Sequence, residues 1–115
     1  MPVTTTEITK YSVDVISYGD PNKKMANVEL FDTKGKEIAF LRFYSTESSP
    51  AQNEFRSDLG YPVVSYPSAA LASVVDILRN EKPLYFIWYD YMPVRCFGAI
   101  SFGTSREPVG EEEGI

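Results

Sequence analysis

The residue types that could carry chemistry in this chain are one cysteine, five arginines, the lysines and the acidic side chains; histidine is absent. Histidine is the usual general base and the commonest neutral metal ligand, so its absence excludes Ser-His-Asp catalysis, Cys-His catalysis and histidine-based zinc sites. A single cysteine, Cys96, also excludes a cysteine zinc cluster and a CxxC redox pair within one chain. Carboxylate or lysine chemistry remains, but no spacing singles out a pair of acids. We therefore expect no catalytic residue, no metal site and no cofactor.

Two interpretations of Cys96 stay open. Arg95 precedes it, and an adjacent cation can lower a thiol pKa enough to make the thiolate a nucleophile. In a strand, however, sequence neighbours point to opposite faces, which places Cys96 with Val94, Gly98 and Ile100. We expect a small buried apolar residue rather than a nucleophile.

Arginines interrupt two apolar runs, at Arg42 and Arg95, and Arg106 ends a Gly-Thr-Ser-Arg segment. An unpaired buried guanidinium is very costly, so Arg42 and Arg95 each need a partner. That partner is a carboxylate such as Asp14 or Asp90, water at a sheet edge, or an anionic ligand. Arg106 either lies in an ordinary turn or helps to hold an anion.

An unusually aromatic stretch, residues 84–91, contains five aromatic side chains, including the only tryptophan. Large aromatics dominate both cores and interfaces. The stretch is therefore either a central strand covered on both faces or a strand with one binding face. The candidate ligand-binding or partner-binding residues are Arg42, Tyr85, Trp88, Tyr89, Tyr91, Arg95 and Arg106.

Period-two alternation predicts strands in residues 7–18, 26–31 and 37–44, and residues 84–91 and 94–102 form a predicted hairpin. Apolar residues at i, i+3, i+4 and i+7 after Pro67 predict a helix that ends near Asn80. We expect an α+β fold: a mainly antiparallel sheet of about five strands, ordered β-β-β-loop-α-β-β, with one packed helix.

The length fits one domain, 1–115, and we expect flexible tails at 1–6 and 107–115. Residues 45–66 are rich in Ser, Pro, Asn and Gly. A loop of that length is unusual in a compact domain, so it is a functional loop, a packed flap or the site of a further strand near Val63 and Val64.

The net charge of -5 comes mainly from the C-terminal tail, because residues 1–106 carry eleven basic and twelve acidic side chains. That balance lacks the positive field that drives nucleic-acid binding, so a nucleic-acid partner is disfavoured. No apolar run has the length of a membrane span and no secretory signal pattern begins the chain. We expect a cytoplasmic protein without a membrane partner.

Three functional hypotheses follow. The first is a non-catalytic interaction module, either a homo-oligomer or the binder of a protein partner, that uses the aromatic hairpin at 84–102. The second is a binder or sequestering protein for a small anionic, nucleotide-like ligand held by arginine and aromatic side chains near residues 45–66. The third is an enzyme that uses carboxylates.

Overall fold

The computed structural model describes residues 3–16, 24–44, 52–92 and 95–102, and it confirms a fold that is mainly β with a single helix. Its described strands form two sheets, one of three strands and one of five. The prediction of one sheet with about five strands is therefore wrong in both strand number and layering. The elements are β1 (Val3–Ile8), β2 (Lys10–Val15), β3 (Lys24–Phe31), β4 (Glu37–Tyr44), β5 (Glu54–Arg56), β6 (Tyr61–Pro67), α1 (Leu71–Asn80), β7 (Leu84–Tyr91) and β8 (Arg95–Phe102).

The three-stranded sheet is antiparallel and has the order β1-β7-β8, so the aromatic strand β7 is central. β7 and β8 form the predicted hairpin, with Trp88 opposite Gly98. Residues 3–6, expected in a flexible tail, instead form the first part of β1. Their threonines are β-branched and suit a strand, but they produce no hydrophobic alternation that would reveal one.

The five-stranded sheet has the order β2-β3-β4-β6-β5. All its neighbouring strands are antiparallel except β4 and β6, which run parallel. β3 and β4 are joined by a tight turn in which one carboxylate oxygen of Asp32 accepts the backbone N–H groups of Lys34 and Lys36, each at 2.9 Å. Gly35 takes a φ of 80°, a left-handed conformation that favours glycine.

Residues 45–66, expected to form mostly a loop, contain β5 and most of β6, while residues 45–51 lie outside the described part of the chain. Val63 and Val64, singled out as a possible strand, lie within β6. β5 is only three residues long, and Pro62 and Pro67 weaken the strand pattern of β6 because proline cannot donate to the ladder.

The main core lies between the two sheets and the helix. Fully buried side chains of the five-stranded sheet include Val28, Leu30, Leu41 and Phe43. Burying each such side chain contributes about 1.5–3 kcal/mol relative to leaving it exposed. From the opposite side, the three-stranded sheet contributes Ile8, Leu84, Phe86 and Trp88, and the helix contributes Val74 and Leu78.

The structure confirms the helix that the apolar periodicity predicts. A short 3₁₀ turn, Ser68–Ala70, follows Pro67 and leads into α1, which ends at Asn80 as expected. The N–H of Glu81 closes the last turn by donating to the carbonyl of Ile77 at 3.0 Å. Among the described residues, no helix combines the length and apolarity required to cross a bilayer.

Candidate functional site

The alternation of β7 separates its aromatic side chains onto two faces of the three-stranded sheet. Phe86 and Trp88 point toward the five-stranded sheet and belong to the core. Tyr85, Tyr89 and Tyr91 point the other way, because successive side chains in a strand lie on opposite faces. One face of β7 is therefore covered by the core, and the other carries the three tyrosines.

The outward side of the three-stranded sheet, called here the aromatic face, combines three neighbouring strands. Cross-strand partners share a face, so the pairing of β1 and β8 with β7 identifies its members. They are Val3, Thr5 and Glu7 from β1, Tyr85, Ile87, Tyr89 and Tyr91 from β7, and Arg95, Phe97, Ala99 and Ser101 from β8. Four of the seven predicted binding residues therefore lie together on this face.

The rings at one end of the aromatic face contact each other. Tyr89 stacks on Phe97 with ring centroids 4.5 Å apart and an angle of 18° between the ring planes. Tyr91 stacks on Tyr89 at 6.3 Å, and the Arg95 guanidinium carbon lies 5.5 Å from the centroid of Phe97. Stacked pairs and cation–π contacts of this kind hold the side chains in place. The result is an ordered aromatic platform.

The aromatic face is apolar yet stands outside the core. Within the described residues, the core does not include Tyr85, Ile87, Tyr89 or Phe97. Tyr91 is 43 % exposed. Clustered aromatics on an outward sheet surface are typical of protein interfaces, which are enriched in tyrosine, phenylalanine and arginine.

The charges of the aromatic face occupy opposite corners. Glu7 lies on β1 opposite Tyr85, and Arg95 lies on β8 opposite Tyr91. Both side chains are exposed. Among the described residues, ion pairs are confined to Arg56 with its neighbours Glu54 and Asp58, so the charges of Glu7 and Arg95 are unpaired.

Trp88 lies on the opposite face of β7 from the three tyrosines, although the sequence predicts all four as parts of one ligand-binding or partner-binding site. It is 6 % exposed, and its indole N–H has no hydrogen-bond partner in the described part of the chain. It lies at two open clefts of about 360 and 420 Å³, and Phe55 lines both of them.

The two clefts beside Trp88 carry carboxylates rather than arginines. Asp32 and Glu37 line one cleft together with Lys36, and Glu54 and Asp90 line the other. Negatively charged walls repel an anion. No described arginine lines either cleft, so the clefts beside Trp88 are not the arginine pocket predicted for an anionic ligand.

The remaining predicted arginines do not converge with the aromatic face. Arg42 alternates with the fully buried Leu41 and Phe43, so it points away from the core of the five-stranded sheet. Its terminal nitrogen Nη2 donates to the carbonyl of Gln52 at 3.1 Å, a backbone partner that was not among the expected ones. Its Nε is buried and has no partner among the described residues. Arg106 lies outside the described residues.

Cys96 lies on the core side of β8, as predicted from strand alternation, but it is partly buried rather than fully buried as expected. Its thiol donates to the carbonyl of Asn53 at 3.2 Å. Burial raises the pKa of the Cys96 thiol, and the nearby carboxylates of Asp90 and Glu54 raise it further. Arg95 points to the opposite face, so it does not activate the thiol as a nucleophile.

Asn53, which the sequence did not single out, joins the two sheets. Its side-chain oxygen accepts the N–H of Ser65 in β6 at 2.8 Å, while its Nδ2 donates to the carbonyl of Cys96 in β8 at 3.3 Å. The side chain thereby connects the edge strand of the three-stranded sheet to the five-stranded sheet. The only sequence signal is an asparagine in a polar segment, which fits many turns equally well.

The structure also brings together two acids that sequence spacing did not pair. Burial raises the pKa of the Glu37 carboxyl, Glu29 raises it further, and a hydrogen bond with Tyr61 acts in the opposite direction. The hydroxyl of Ser12 donates to Glu29 at 3.1 Å. No group of three or more acidic or cysteine side chains in the described residues is arranged to hold a metal ion.

Comparison of the chain with protein-family models, with curated proteins and with solved structures gives no match.

Proposed function

We propose that this chain is a non-catalytic protein-interaction module and that a protein partner docks on the aromatic face. One observation carries the proposal: the central strand of a three-stranded sheet presents a row of tyrosines and Ile87 on the side away from the core. A sheet that served only as one wall of the core would need apolar side chains on its inner side alone.

The contacts among the aromatic rings support docking by a protein. Tyr89 already contacts both Tyr91 and Phe97, and Arg95 lies against Phe97. Tyrosine has few rotatable bonds, so fixing it in a complex costs little conformational entropy for the area it buries. Preorganised aromatic side chains are typical of the residues that dominate binding energy.

The chemistry of the remaining groups supports a non-catalytic role. The chain has no histidine. Its one thiol has a raised pKa, which opposes formation of the nucleophilic thiolate. Arg42 donates to the carbonyl of Gln52 and Arg95 lies against the ring of Phe97, so each guanidinium has a contact of its own within the chain.

Native mass spectrometry tests the docking function directly. The informative variant is Ile87→Lys, because Ile87 is central on the aromatic face and is not one of the core residues. Val15→Lys is the matched control: Val15 is a strand residue that is 71 % exposed and lies on the five-stranded sheet. We expect gently purified wild-type protein to carry a bound protein chain, Val15→Lys to keep it, and Ile87→Lys to lose it.

Two outcomes contradict the docking function. One is a bare monomer for wild type and both variants at every concentration. The other is an added mass of small-molecule size that survives Ile87→Lys, which would instead support the ligand-binding hypothesis.

A further inference from the structure

We infer that the partner of the aromatic face is a second copy of the same chain, related by a two-fold axis, with Glu7 of each copy facing Arg95 of the other. This inference rests on the proposed docking function and adds the identity of the partner. Its basis is that the two charges on the face are opposite in sign and are placed at opposite corners.

The register fixes the separation of the two charges. Glu7 lies level with Tyr85 and Arg95 lies level with Tyr91, on the two outer strands. Six residues along β7 and two strand spacings across it correspond to about 20 Å and about 10 Å at ordinary β geometry. The two side chains of one chain are therefore too far apart to pair with each other.

A two-fold axis resolves this separation. In a symmetric dimer, a contact between one residue and another occurs twice, once in each direction. The midpoint between the two charged corners falls on β7 at the level of Trp88, between the outward side chains of Ile87 and Tyr89. A two-fold axis that lies between the two faces, passes over that point and is perpendicular to the line joining the two charged corners places Ile87 and Tyr89 of both copies at the centre. Each Arg95 then faces the Glu7 of the other copy.

Charge complementarity favours a second copy over an unrelated chain. Within the described residues the face offers one acid and one base, and neither takes part in an ion pair of its own chain. A uniformly acidic or basic partner would satisfy one corner and be repelled by the other. A copy of the same face satisfies both corners at once.

The size of the face predicts a weak dimer. Three strands of up to eight residues span about 14 by 26 Å, or about 370 Å² of projected area per copy. Stable interfaces bury about 1,200–2,000 Å² in total, so this one belongs with small, reversible associations. We expect the dimer to dissociate on dilution and with rising salt, because exposed ion pairs are screened.

The test uses charge reversal followed by mixing, with sedimentation velocity over a concentration series as the measurement. Glu7→Arg places two arginines together at both corners, and Arg95→Glu places two glutamates together. We expect each variant alone to raise the dissociation constant about 10-fold. An equimolar mixture of the two variants restores both attractive pairs, so we expect a heterodimer with near wild-type affinity.

Asp14→Arg and Lys34→Glu are the matched controls, because both residues are exposed and lie away from the aromatic face. We expect neither reversal to weaken the wild-type dimer, and we expect no gain when the two are mixed. Circular dichroism of every variant checks that the fold is retained.

The outcomes separate the two proposals. A wild-type protein that stays monomeric at every concentration overturns the second copy as partner, while the native mass experiment still decides whether another protein docks. If Ile87→Lys disrupts the dimer but charge reversal leaves it unchanged, the reciprocal pairing of Glu7 with Arg95 is overturned. Docking on the aromatic face then stays supported. A dimer that neither change affects overturns both proposals.

Discussion

Replacing Gly98 with alanine should destabilise the protein, even though alanine normally suits a strand better than glycine. An added Cβ at Gly98 would lie 2.7 Å from Cζ and 2.9 Å from Cε1 of Phe86, and 3.1 Å from Cγ2 of Val64. The first two distances are too short for carbon atoms, so the Phe86 ring must move. Phe86 belongs to the core between the sheets, where space for such a movement is limited.

Two opposing terms set the magnitude. Glycine within a strand is less stable than alanine by about 0.5–1 kcal/mol, which favours the substitution. Overpacking of a well-filled core costs about 1–3 kcal/mol. We therefore expect Gly98→Ala to lower the free energy of unfolding by up to about 2 kcal/mol, a large share of the total of about 5–15 kcal/mol for a small domain.

The double mutant isolates the cause. Phe86→Leu removes the two ring atoms that clash, so in that background we expect Gly98→Ala to be neutral or stabilising. Urea unfolding monitored by Trp88 fluorescence measures all four proteins, with an unchanged m-value as the check that only stability differs. Equal stability of wild type and Gly98→Ala would refute the reasoning, as would the same loss in both backgrounds.

Two further predictions concern Asn53, which joins the two sheets, and Glu37, whose carboxyl has a raised pKa. Asn53→Ala should lower the free energy of unfolding by about 1–3 kcal/mol, because the N–H of Ser65 and the carbonyl of Cys96 lose their side-chain partner; urea unfolding measures the loss, and an unchanged midpoint would contradict it. The raised pKa of Glu37 means that the folded state binds this proton more tightly than the unfolded state. The loss of stability caused by ionising Glu37 is therefore absent below the pKa of the unfolded state, and it grows as the pH rises through the pKa of the folded state. Glu37→Gln should stabilise the protein at neutral pH more than at acidic pH in parallel unfolding titrations, and an equal effect at both would contradict this assignment.

Elements with strong local patterns could be predicted from the sequence. The hairpin of β7 and β8, the strand β4 and the helix α1 each carry apolar periodicity over eight to ten residues. β1 was missed because its threonines carry no such alternation, and β5 because it is three residues long. The division into two sheets was missed because period-two alternation predicts a single strand over residues 7–18. In the structure, Thr9 separates β1 from β2, which belong to different sheets.

The candidate site was predictable in part. Strand alternation alone places Tyr85, Tyr89 and Tyr91 on one side of β7 and Trp88 on the other, but it does not reveal which side faces the core. That decision depends on the packing of the five-stranded sheet, a long-range property. The role of Asn53 has the same origin, since its partners in β6 and β8 lie 12 and 43 positions further along the chain.

The pairing of β1 with β7 also has a consequence for when the aromatic face first exists. Val3 of β1 lies opposite Tyr89 of β7, so these paired strands are separated by most of the sequence. In contrast, β2, β3 and β4 are consecutive in sequence and pair with their immediate neighbours. Contacts between distant segments form only after long loops have closed. A ribosome-bound chain can complete the β2-β3-β4 meander early, but the aromatic face requires β8 to have left the ribosome. The proposed docking on this face would therefore require a chain synthesised at least as far as β8.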